Sequence, residues 1–312
     1  MIKKETSKNG LVELFRFLCS IWVAYFHGFF FILSDKFDGV NISVDFFFMV
    51  SGLFFLKSIE KYRERPFLEG VRYIFWGRTK GFIVPLIIAA SSVLCCNIIF
   101  DWDFDGFNWP FSFLWFFAAQ FVYLFLFYLL IRKIKSRSIF NIACALIVCL
   151  SMSLFIFMPY GFAKQFDRVF RGPAMIAIGI LISQIPKIKI KLSSKTRAEK
   201  LNLLVNIIGF TIAVLAFIYL AYLPGHAVWK LHLFLCIVCT SLLYFATSLP
   251  VRGKFFNFLG EFSVFIYLAQ CPILINYYAG NRDSIEQFPL LCVCALAMFV
   301  INKRINIRKR IA

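Results

Sequence analysis

The sequence predicts an all-α, polytopic membrane protein: a transmembrane bundle of about ten helices with both termini in the cytoplasm. Three observations carry that reading. Hydrophobic residues make up 61% of the chain and 42 of its 312 residues are phenylalanine, with a mean hydropathy of +0.80, far from the composition of a soluble domain. Apolar runs recur between short polar loops, and their length of about 20 residues suits a hydrocarbon core about 30 Å thick. Lys and Arg fall unequally on the two sides of the resulting alternation, 27 on one and six on the other, the rich side including both chain ends. That asymmetry marks the cytoplasmic side and calls for an even number of spans.

The candidate spans lie near residues 11–34, 40–58, 82–100, 111–131, 139–158, 171–186, 203–223, 231–249, 257–279 and 288–302. The first follows a basic segment, Met1 to Gly10, is long, contains Arg16 and lacks a small-residue cleavage site, so it reads as an uncleaved anchor. Basic loops near 57–80, 132–137, 187–200 and 252–254 punctuate the later spans on the cytoplasmic side. On the other side stand only Lys36, Lys164, Arg168, Arg171, Lys230 and Arg282. The sixth and tenth spans are short for a bilayer. No linker separates an appended soluble domain, so residues 1–312 read as one membrane-embedded domain. The net charge of +18 is explained by cytoplasmic loops beside anionic lipid, and its scatter argues against a nucleic-acid partner.

The ten cysteines sit in or near apolar runs, including Cys95, Cys96, Cys144, Cys149, Cys236, Cys239, Cys292 and Cys294. They read as small hydrophobes, without disulfide framework or zinc spacing. No metal site, phosphate-binding glycine loop, dinucleotide fingerprint or nucleophile elbow is present. No internal repeat of the transporter kind stands out.

Chemistry concentrates in the first two spans. Arg16 and His27 are 11 residues apart, which on a helix brings them within roughly 20° of one face and about 16 Å apart along it. Ionisable groups at membrane depth are costly and usually line a cavity or pathway. The plainer alternative is that Arg16 snorkels to the interface while His27 is a hydrogen-bonded packing residue. Glu13, one turn before Arg16, forms a candidate i,i+3 partner. In the second span, Asp45 lies about five residues from the outer end and is expected at a depth similar to His27, where a carboxylate would fix the tautomer and raise the basicity of the imidazole. Equally, Asp45 fits a helix cap. Ser51-Gly52 would let neighbouring helices approach closely.

These residues resemble a known family. Arg16-x10-His27, then Val44-Asp-Phe-Phe-Phe-Met-Val-Ser-Gly52-Leu, then Arg78-x6-Pro85, are similar to the opening motifs of the integral-membrane acyltransferase family 3, which includes O-antigen and exopolysaccharide O-acetyltransferases. A late segment, Leu259-Gly-Glu-Phe-Ser263-Val-Phe-Ile-Tyr267-Leu-Ala-Gln270-Cys-Pro272, is similar to the family's Gly-x-x-Ser-x-x-x-Tyr-Leu-x-His-x-Pro pattern. The resemblance implies a multi-pass protein of the bacterial cytoplasmic (inner) membrane. It implies an acyl-CoA donor, acetyl-CoA foremost, used as substrate with no permanently bound cofactor, and a hydroxyl acceptor on a glycan or lipid-linked glycan. It also implies that His27 is essential, with Arg16 as its motif partner.

Two departures from the pattern matter. Gln270 stands where the family has histidine, and an amide can position but cannot transfer protons near neutral pH. The family's arginine-rich stretch is thinned to Arg78-Thr-Lys80-Gly-Phe. Arg78 and Lys80, at the cytoplasmic mouth of the third span, are candidates for holding the phosphates of coenzyme A, although the positive-inside rule would place basic residues there anyway. Ser263, Tyr267 and Gln270 share a helical face and with Ser51 are candidate cavity-lining residues, or else packing groups. Arg168 and Arg171, directly before the expected helix start at Gly172-Pro173, are candidates for an anionic group of the acceptor, or solvated loop charges.

The chemistry so implied needs no enzyme nucleophile, because a thioester carbonyl is already activated. His27 would act as general base on the acceptor hydroxyl, oriented by Asp45, and Arg16 would hold the donor from below. A covalent acyl-histidine is an open variant. A proton-coupled transporter or flippase with His27 and Asp45 as relay is the alternative from another class.

Overall fold

The computed structural model describes residues 9–29, 40–77, 79–99, 111–157, 160–188, 195–221, 232–278 and 287–311, with side chains over a narrower set. Every regular element among them is helical. The α-helices are α1 (Gly10–Phe29), α2 (Val40–Ile59), α3 (Phe67–Arg72), α4 (Ile83–Ile99), α5 (Phe111–Lys133), α6 (Arg137–Phe157), α7 (Tyr160–Ile182), α8 (Lys195–Ala221), α9 (His232–Ser248), α10 (Lys254–Tyr278) and α11 (Gln287–Ile311). Among the described residues four stretches, Ile42–Tyr62, Phe116–Lys133, Arg137–Leu154 and Thr196–Leu220, are long and apolar enough to cross a membrane.

The surface carries the membrane signature. On α6, Ile139, Ile142, Leu146 and Leu150 recur at helical spacing and are all exposed, the inverse of a helix packed in water. Cys149 and Cys292 share such outer faces, so they are not buried as expected, whereas Cys19, Cys144, Cys236 and Cys239 are.

Two pairings position the interior. Helix α1 runs beside α10, and both begin at the same end: Gly10 N donates to Val251 O at 2.8 Å and Asn9 Nδ2 to Leu249 O at 3.1 Å. Asn9 also caps α1, its Oδ1 accepting from Leu11 N and Val12 N at 3.1 and 3.2 Å, as an N-cap amide should. Helix α2 lies against α7 through reciprocal glycines. A Cβ on Gly52 would strike the Ile176 carbonyl, and one on Gly179 would strike the Met49 carbonyl. Such close backbone approach replaces the hydrophobic drive that lipid cannot supply.

Two boundaries differ from those expected. The sixth span, expected over 171–186, belongs to a helix that starts eleven residues earlier, at Tyr160, with Pro173 inside it. The polar residues of 160–171 and a proline that usually opens helices read together as a loop, but the helix runs through Pro173 and brings Arg171 to Asp45 of α2. The tenth, expected to be short, is a 25-residue helix. The loop after α2 is also more ordered than a basic loop suggests. A 3₁₀ turn (Glu60–Tyr62), α3 and a π-helical turn (Tyr73–Gly77) are clamped to the end of α5 by Arg132, which donates to Arg65 O at 2.6 Å. Beyond α7, Lys187 reaches across to α9, lying 4.7 Å from the Tyr244 ring centroid and donating to Thr247 Oγ1. Burial there pulls its amine below the ordinary lysine range.

Candidate active site

A cavity of about 260 Å³ lies between α1, α2, α5 and α10 and reaches the start of α4. Its walls are mostly phenyl rings: Phe47 and Phe54 of α2, Phe82, and Phe116, Phe117 and Phe121 of α5. Edge-to-face and tilted contacts tie these rings together, with Phe117 to Tyr267 at 5.4 Å and Phe82 to Phe117 at 5.4 Å. Five polar residues face the interior besides Tyr267: Arg16, Ser20, Ser51, Gln120 and Ser263. The structure therefore brings together Arg16, Ser51, Ser263 and Tyr267, four residues singled out in the sequence.

Arg16 is held in place and stays accessible. Its Nη1 donates to Glu13 Oε2 at 2.7 Å, with 23% of the arginine side chain exposed and 2% of the glutamate. The glutamate fits because α10 presents Gly260, where any Cβ would collide with the carboxylate. One turn on, Ser20 Oγ donates to Arg16 O at 3.0 Å. A cation anchored from behind by a buried carboxylate, with its open side on an apolar chamber, is arranged to meet an anionic or strongly polarised ligand.

Gln120 was overlooked in the sequence. Its Nε2 donates to Ser51 Oγ, and that hydroxyl donates to Phe47 O at 2.9 Å, so α5 and α2 are bridged across the cavity wall. The signal was present: an amide set among Phe116, Phe117, Phe121 and Val122 is costly to bury in an apolar helix unless it finds a hydrogen-bond partner.

The buried charges of α2 and α7 form a separate centre. Arg171 Nε donates to Asp45 Oδ1 at 2.9 Å, with side-chain exposures of 5% and 0%. Three expectations change here. Arg171 is not a loop cation for an acceptor; it lies inside α7 and is buried, because the helix starts at Tyr160. Asp45 is not a cap, since α2 begins at Val40. Nor does it reach the depth of His27. The rings of Phe15 and Phe46 meet in a tilted contact with centroids 6.1 Å apart, which fixes the antiparallel register of α1 and α2. Asp45, beside Phe46, is then level with the turn at Arg16, about 15 Å short of position 27 at 1.5 Å per residue. The two helices are therefore offset along their axes: the level of Asp45 falls near Arg16, well before the last described turn of α1 at Phe29.

His27 lies on the last turns of α1, but its side chain is outside the described residues, as are those of Arg168 and all of Arg78. Lys80 is exposed at the turn preceding α4, its backbone N–H donating to Trp76 O at 3.0 Å, and only Gly81 separates it from Phe82 on the cavity wall. Gln270, expected on the cavity wall with Ser263 and Tyr267, is not among the residues that line the cavity; it is buried, at 2% exposure, three residues beyond Tyr267. Among the described residues no group of His, Cys, Asp and Glu is arranged to hold a metal.

Comparison with known proteins gives one match. A family model described as "Acyltransferase domain" matches residues 9–302, a stretch that contains every residue of the cavity. No curated protein and no solved structure matches the chain significantly.

Proposed function

The chain belongs to acyltransferase family 3, and on that premise we propose that it is a membrane O-acetyltransferase of the bacterial cytoplasmic membrane. It takes an acetyl group from acetyl-CoA on the cytoplasmic side and passes it to a hydroxyl of a cell-surface glycan or its lipid-linked precursor. Membership of an acyltransferase family displaces the transporter reading. The one domain spans the bilayer about ten times with both termini cytoplasmic, a topology supported by the 27-to-six division of Lys and Arg.

The observation that carries this reading is the Arg16 cavity. It lies in the half of the bundle where α1 and α10 begin, the side rich in basic residues, and it is narrow, aromatic and sparsely polar. Those properties suit the slender thioester arm of coenzyme A. The nucleotide phosphates stay outside, beside Lys80 and Arg78. Arg16 draws the arm in, and Ser20, Ser51, Gln120 and Ser263 offer hydrogen bonds to its amides.

His27 stands further along the same face of α1, on the outer side of the chamber. There it removes the proton of the acceptor hydroxyl as the oxygen attacks the thioester carbon. The C–S bond breaks, and the proton returns to the departing sulfur, giving the acetyl ester and free coenzyme A. Asp45 serves the fold by holding α2 on α7 through Arg171, and His27 works without it. Arg168, one turn before Arg171 in α7, is the remaining candidate for contact with the acceptor.

Mass spectrometry of the host's surface glycan, with and without the gene, tests the proposal. The expected result is one acetyl mass increment per repeat unit that disappears on deletion. An unchanged glycan, together with no acetyl-CoA consumption by membranes, contradicts it.

A further inference from the structure

Gln270 is the most expensive polar side chain left unexplained. It is 2% exposed, and among the described residues neither Nε2 nor Oε1 has a hydrogen-bond partner. A buried amide with both ends unmet gains nothing for the fold and costs the desolvation of two polar groups. Leucine or methionine would fill the same space without that cost. An amide in such a place is explained by a ligand that meets it.

Its position says which ligand. Ser263 and Tyr267 line the cavity, and Gln270, seven residues after Ser263, returns to within about 20° of the same helical face. Its height follows from the parallel register of α1 and α10. A Cβ on Gly10 would lie 3.0 Å from the Phe256 ring, and Gly260 faces Glu13, so residues of the two helices are level when their numbers differ by about 246. Gln270 is therefore level with Ala24, about 5 Å short of position 27. The order along the bundle is Arg16 with Ser263, then Ser20 with Tyr267, then Gln270, then His27.

Building on the acetyl-CoA reading above, we propose that Gln270 binds the reacting end of the thioester. Nε2 donates to the thioester carbonyl oxygen and Oε1 accepts from the amide N–H of the donor arm nearest the sulfur. A coenzyme A thioester offers that acceptor and that donor close together, matching an amide with both ends free. As the hydroxyl oxygen adds to the carbonyl carbon, negative charge moves onto the carbonyl oxygen, and the Nε2–H bond strengthens with it. No proton leaves Gln270. The hydroxyl proton goes to His27 and then to sulfur as the C–S bond breaks.

The test measures acetyl transfer and thermal unfolding for Gln270→Met and Gln270→His, beside wild type and His27→Ala. Removing one donor to a developing oxyanion costs about 10²- to 10³-fold in kcat. Gln270→Met is therefore expected to lose about that much kcat, with a smaller rise in KM for acetyl-CoA and unchanged or higher thermal stability. Gln270→His, which keeps a donor, is expected to recover at least tenfold over the methionine variant. A packing role predicts the reverse, a less stable protein with near-normal kcat. Full activity in a folded Gln270→Met variant overturns the inference while leaving the acetyltransferase reading intact. Absence of acetyl transfer by wild type overturns both.

Discussion

Among the described residues, two arginines enter the apolar interior, each with a carboxylate, and the structure treats them in opposite ways. Arg171 and Asp45 join α7 to α2 in a sealed pair, 2.9 Å apart and almost wholly inaccessible. Arg16 and Glu13 lie on one helix 2.7 Å apart, and the arginine keeps 23% of its side chain open on the cavity. Two buried charges each cost several kcal/mol to desolvate, and a sealed pair merely offsets that cost. An arginine left partly open has coordination still to offer. The lesson is that burial separates the two more reliably than charge does: both arginines looked like site residues, and of the two only Arg16 lines the cavity.

The comparison can be broken most forcefully at the sealed pair. Arg171→Leu takes the guanidinium away from a buried carboxylate and is expected to cost about 3–5 kcal/mol of stability, read by thermal or denaturant unfolding in detergent. Asp45→Leu/Arg171→Leu together should recover most of that loss. A double variant as unstable as the single one would show that the pair matters for more than its own compensation.

Gly52→Ala probes the packing that surrounds the sealed pair. Its methyl would meet the Ile176 carbonyl, and forced overpacking costs about 1–3 kcal/mol. The same change at Gly81, which has open space around its Cβ position, should leave unfolding where it was.

Replacing each arginine by lysine sharpens the contrast. Arg16→Lys keeps the charge beside Glu13 but loses the fork of donors, so KM for acetyl-CoA should rise about tenfold, equal to about 1.4 kcal/mol, with little change in melting. Arg171→Lys should lower melting and spare KM. An exchange of these two phenotypes would invert the assignment. Gln120→Leu stands last in size. Its bond to Ser51 touches the cavity wall only, and a loss of about 1 kcal/mol in kcat/KM is expected from one neutral hydrogen bond.

Much of this was legible in the sequence, and the reasons for the rest are specific. Hydropathy showed the all-helical, membrane-type character, because lipid imposes length and apolarity on any span. Arg16 with Glu13, Ser51, Ser263 and Tyr267 were legible because helical spacing alone decides which face they share. Arg171 was misplaced because the polar stretch 160–171 and Pro173 imitate a loop and a helix start, and only packing against α2 shows otherwise. The depth of Asp45 was misjudged for a related reason. Register between helices depends on ring contacts such as Phe15 with Phe46, which no spacing within one helix reports. Gln120 is neutral, and its role depends on Ser51 of α2, a partner that no spacing within α5 reports.

The central claim is that acetyl transfer takes place above the Arg16 chamber with His27 as its base. Its most direct test is the incorporation of label from radiolabelled acetyl-CoA into the glycan fraction by membranes containing His27→Ala, compared with wild type at equal amounts of folded protein. The account predicts labelling at background with wild-type melting behaviour. Labelling at the wild-type rate by that variant would contradict it.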